Sequence, residues 1–98
     1  MAGNPQPIGG AGGALQQMLQ ASGLGFLLHE TRLRERWEEV VGGPAAKVAA
    51  LDSLQGFVLH VKVDGGAWRQ ELHYQREAIR ARANAVLGAE IVREVRLR

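Results

Sequence analysis

The chain has 98 residues, 46% hydrophobic and 22% charged, which fits one domain around one core and excludes a wholly disordered protein. It contains no cysteine, so disulfides and thiolate metal sites are excluded, as suits a reducing, cytoplasmic compartment. No apolar run approaches the roughly 20 residues needed to cross a bilayer, the first residues lack the pattern of a signal peptide, and the net charge is only +2.

Residues 1–13, MAGNPQPIGGAGG, are dominated by glycine and proline and predict a flexible arm ahead of a domain over 14–98. Leu15, Met18 and Leu19 then recur at helical spacing, and Ser22-Gly23 supplies a stop. Phe26, Leu33, Trp37, Val40 and Val41 trace the apolar face of a second helix. Arg32, Arg34, Glu35, Arg36, Glu38 and Glu39 form its solvated side, and Gly42-Gly43-Pro44 is expected to end it.

Strand signals come next. Phe57, Leu59, Val61 and Val63 alternate with Val58, His60 and Lys62, the period of a half-buried strand. The preceding Asp52-Ser53-Leu54-Gln55-Gly56 has turn chemistry, so residues 46–51 are expected to form the other arm of a hairpin. Asp64 is placed to cap a helix over 65–87 that closes on Gly88, and Ile91, Val95 and Leu97 alternate in a last strand. The predicted order is ααββαβ, an α+β fold in which helices pack on one face of a small three-stranded sheet.

The long helix carries most of the chemistry. At about 100° per residue, Trp68, Leu72, Ile79 and Val86 share a core-facing stripe. Arg69, His73, Arg76 and Arg80 form a neighbouring row, expected to hold no acid of its own. Guanidiniums are permanently charged and bind phosphate bidentately, which makes the row a candidate phosphate contact. Tyr74, Ala78, Ala81 and Ala85 make a third, nearly uncharged stripe suited to the first helix or to a partner. Trp68 opens the helix beside Lys62 and Arg69; buried it fills the core, and exposed it would anchor a protein or stack a base. Between Arg69 and Arg98 lie seven arginines against four acids, and Lys62, Arg96 and Arg98 are candidates to extend the basic surface.

Catalytic patterns are not found. His29, His60 and His73 fall in different elements, with no cysteine and no nucleophile spacing beside them. Glu38 and Glu39 diverge by about 100° on a helix and do not make an acid/base pair. Gly65-Gly66 precedes a helix N-terminus, but the Asp64 carboxylate disfavours an anion there. No enzyme, metal or cofactor is expected.

Trp37-(x)2-Val40-Val41-Gly42, Leu54-(x)-Gly56, Leu59-(x)-Val61-(x)-Val63 and Ala67-Trp68-(x)2-Glu71-Leu72, in that order, resemble the DciA family of bacterial replicative-helicase loaders. The resemblance covers about residues 15–97, although many relatives have a His-Thr pair where this chain has Val48-Ala49. It implies a K-homology-like domain that binds single-stranded or forked DNA and contacts the replicative DNA helicase. On that reading Lys62, Arg69, His73, Arg76, Arg80, Arg96 and Arg98 would face nucleic acid, and Trp68 or Tyr74 the protein partner. An RNA-binding module at the ribosome and a protein-only scaffold are the alternatives, and a homodimer is compatible with the sequence.

Overall fold

The computed structural model describes residues 25–98. The arm over 1–13 and the helix predicted over 14–22 lie outside the described residues. Three helical segments, α1 (Gly25–Glu35), α2 (Trp37–Val41) and α3 (Gly43–Ala46), lead to a hairpin of β1 (Ala49–Gln55) and β2 (Val58–Val63). Two more, α4 (Gly66–Tyr74) and α5 (Arg76–Leu87), return the chain to β3 (Glu94–Leu97). The strand order is β1-β2-β3, antiparallel between β1 and β2 and parallel between β2 and β3. The α+β class read from the periodicities is the class of the protein.

The core forms where the apolar faces meet. Leu59, Val61 and Val63 of β2 point into it with Ala49, Leu51 and Leu54 of β1, Val95 of β3, Leu33 and Val40 from the first helices, and Leu72, Ile79 and Ala83 from α4 and α5. The opposite sheet face holds polar side chains. His60 pairs across strands with Ser53 and Arg96, and Lys62 with Ala50, all away from the core.

Several boundaries differ from those expected. The second predicted helix breaks at Arg36; it ends at Gly42 (φ 96°) as expected, but a new short helix follows at once, because Pro44 falls in the first turn of α3, where no N–H is needed. The residues read as a turn, 52–55, belong to β1. Asp52 is accommodated as a bulge between the Leu51↔Val61 and Ser53↔His60 pairs, and only Gly56 (φ 62°) and Phe57 make the reversal.

The long helix is two helices. Gln75 (φ −96°, ψ 10°) leaves the helical region and donates to Leu72 O at 3.0 Å, an i to i−3 bond that tightens the turn and shifts the phase of α5 relative to α4. Leu72 and Ile79 are fully buried, but Trp68 and Val86 only flank the core, and Ala83, Asn84 and Leu87 complete the inward face. Asp64 does not cap. Its main-chain N–H donates to Val48 O at 2.7 Å, and Gly65 (φ 105°) takes the N-cap position with no side-chain bond.

Candidate nucleic-acid interface

A groove of about 690 Å³ runs between α4 and β3. One wall is Gly66, Arg69, Gln70, His73 and Tyr74; the other is Glu94, Val95, Arg96 and Leu97, with Arg76 also lining it. Three of the four predicted row members therefore converge here, joined by Arg96 from across the groove. Arg69 Nη2 donates to Val63 O at 3.1 Å and Arg76 Nε to His73 O at 3.0 Å, so main-chain carbonyls orient both guanidiniums without neutralising them.

Arg80 does not join them. It sits between Glu77 at 3.1 Å and Glu90 at 3.4 Å, away from the groove, so the row does have acids of its own. The helix break at Gln75 separates Arg69 and His73 from the regular phase of α5 and removes the continuous stripe that the sequence suggests. Arg96 Nε binds Glu94 Oε2 at 2.7 Å, and this bond, ahead of the nearby charges of Arg96, His60 and Arg76, holds the Glu94 carboxyl below its usual range. Arg98 is paired with Asp52, and Lys62 is exposed on the sheet face away from the core. Such exposed pairs contribute little and yield readily to a competing anion.

Tyr74 is 73% exposed, and its hydroxyl accepts from Gln70 Nε2 at 3.1 Å. The ring stands edge-on to His73, with centroids 6.1 Å apart. The alanines of its predicted stripe, Ala78, Ala81 and Ala85, are exposed. Trp68 is half-buried against the core, and Trp37 packs likewise while its Nε1 donates to Ala49 O at 2.7 Å.

Sequence reasoning missed the residues that hold this arrangement. Asn84, buried on α5, donates to Val92 O at 3.0 Å and accepts from Ile91 N at 2.9 Å and Val92 N at 2.7 Å, which fixes the path into β3 and hence the far wall of the groove. An amide on a buried helical face four residues before Gly88 was the available signal. Arg82 Nε bonds Val40 O at 2.8 Å and ties α5 to α2. Among the described residues no group of three or more His, Asp or Glu is placed to hold a metal, and no helix is long and apolar enough to cross a membrane.

Compared with the curated proteins, the chain finds no match. The family model described as Dna[CI] antecedent, DciA, matches residues 10–97, nearly the whole chain. The chain thus belongs to the DciA family, which is involved in loading the replicative helicase in DNA replication.

Proposed function

We propose that the protein is a non-enzymatic adaptor that helps place the replicative helicase on DNA by binding both, with the helicase supplying all nucleotide hydrolysis. The convergence of Arg69, His73, Arg76 and Arg96 on one groove supports the DNA half of this reading. Arg69 and Arg76 have no carboxylate partner among the described residues, so phosphate meets them without first displacing an acid. Lys62 and Arg98 extend the contact across the sheet, whereas Arg80, held by two glutamates, contributes least. Tyr74 is the better placed of the two protein-contact candidates, because Trp68 is half occupied by the core.

Three phosphate contacts on single-stranded DNA give a slope of log affinity against log salt of about −2, from roughly −0.7 per phosphate. Oligo-dT titrations at several salt concentrations are expected to show that slope, and Arg69, Arg76 and Arg96 changed together to Gln to flatten it, while Arg80→Gln alters it little. Unchanged DNA affinity in the folded triple variant would reject the groove, and tighter binding to oligo-U than to oligo-dT would favour the RNA alternative. For the helicase half, the chain and the helicase of the same organism are expected to copurify; no association at micromolar concentration would overturn the adaptor.

A further inference from the structure

The two edges of the sheet are finished differently. On β1, Val48 O accepts from Asp64 N, so ahead of the bulge Ala49 and Leu51 turn their main chain outward, and the carbonyls of these two are satisfied: Ala49 O by Trp37 Nε1 at 2.7 Å and Leu51 O by Arg34 Nη1 at 3.1 Å. Side chains from the helices cover that half of the edge against further pairing.

On β3, Glu94 N donates to Phe57 O, Arg98 N to Val61 O and Val63 N to Arg98 O. In a parallel ladder this parity directs Glu94, Arg96 and Arg98 toward β2 and turns the N–H and C=O of Val95 and Leu97 outward. No side chain among the described residues bonds those four groups. Both residues line the groove facing α4, and the Val95 side chain enters the core, which leaves its main chain as the part facing the groove.

We infer that the outer edge of β3 docks an extended, acidic segment of a protein partner, which adds as a fourth strand along Val95 and Leu97 and sets its carboxylates on Arg69 and Arg76. The hydrogen-bonding groups favour a peptide. The edge offers two donors and two acceptors in alternation, which a polypeptide strand matches group for group. A phosphodiester backbone only accepts, and along this edge it would set its charge against the Val95 and Leu97 carbonyls. An added strand lies about 4.8 Å from its neighbour, and the groove of about 690 Å³ borders that edge. Charge gives the sign, because Arg69 and Arg76 lack carboxylate partners while Glu94, the single acid on the walls, is held by Arg96. The docking edge does not depend on the DNA reading; if that reading holds as well, segment and DNA share Arg69 and Arg76 and displace one another.

The probe is the capped, fluorescein-labelled octapeptide (Glu-Val)4, titrated at low salt into the full chain beside two controls: the same peptide N-methylated at alternate residues along the pairing edge, and (Lys-Val)4. The acidic peptide is expected to bind at least tenfold more tightly than either control and to shift the Val95 and Leu97 amide resonances. Leu97→Pro removes one outward N–H without breaking a bond to β2, and is expected to weaken the peptide about tenfold. No binding, equal binding of the N-methylated peptide, or amide shifts confined to other elements would overturn the inference. Should Leu97→Pro fail to fold, the N-methyl comparison still decides. Oligo-dT titrated in parallel reports on the DNA contact alone, so loss of DNA binding with the peptide retained overturns that reading and leaves this one standing.

Discussion

Asn84 makes three side-chain hydrogen bonds inside the core, and each ends on the main chain of residues 91–92. Asn84→Ala leaves the Val92 N–H and C=O buried without partners, while Ile91 N keeps its bond to Ala89 O at 2.9 Å, a cost of about 2 kcal/mol, read as a lower urea midpoint, with the β3 amides exchanging faster than those of the hairpin. His29 is only 6% exposed, and its Nδ1 has no hydrogen-bond partner among the described residues. Burial, and secondarily the charge of Arg32, lower its pKa from 6.5. With the folded value below the unfolded one, the neutral ring is the stable native form, so stability is full above about pH 6.5 and falls as pH drops through the window beneath it. Urea midpoints at pH 7.5 and 5.5 are expected to differ for the native chain and to converge for His29→Leu. His29 reads in the sequence only as a lone histidine, and Asn84 is marked there only as an amide on the buried helical face ahead of Gly88. Both depend on what tertiary packing brings over them.

Among the elements, strands were placed better than breaks. The alternation from Phe57 to Val63 identified β2 directly, because a strand with one buried face repeats every two residues. The kink at Gln75 had no such mark, for Tyr74-Gln75-Arg76 contains neither glycine nor proline and every residue tolerates a helix. The bulge at Asp52 was concealed differently, since Asp and Ser signal turns by composition even where a strand continues past them. The covered edge of β1 makes its own prediction. Trp37→Phe keeps most of the ring packing but leaves Ala49 O without its donor, and is expected to cost about 1 kcal/mol in urea unfolding. Because that carbonyl also guards the edge, the variant is expected to self-associate more at high concentration, as light scattering would report.

At the scale of the molecule, the α+β class and the clustering of arginine toward the second half were both legible, because they follow from periodicity and counts. Which arginines share a surface was not. That depends on a kink and on the crossover that carries β3 alongside β2, far from it in sequence. The bulge carries a further implication, for how such chains vary in length. Leu51 and Leu54 stand an odd number of residues apart yet both enter the core, because Asp52 is the extra residue between them. Losing a residue from a strand ordinarily turns everything beyond it to the wrong face. Here the loss of Asp52 would restore plain alternation, so β1 is a place where the chain can shorten by one residue and keep every core side chain in the core.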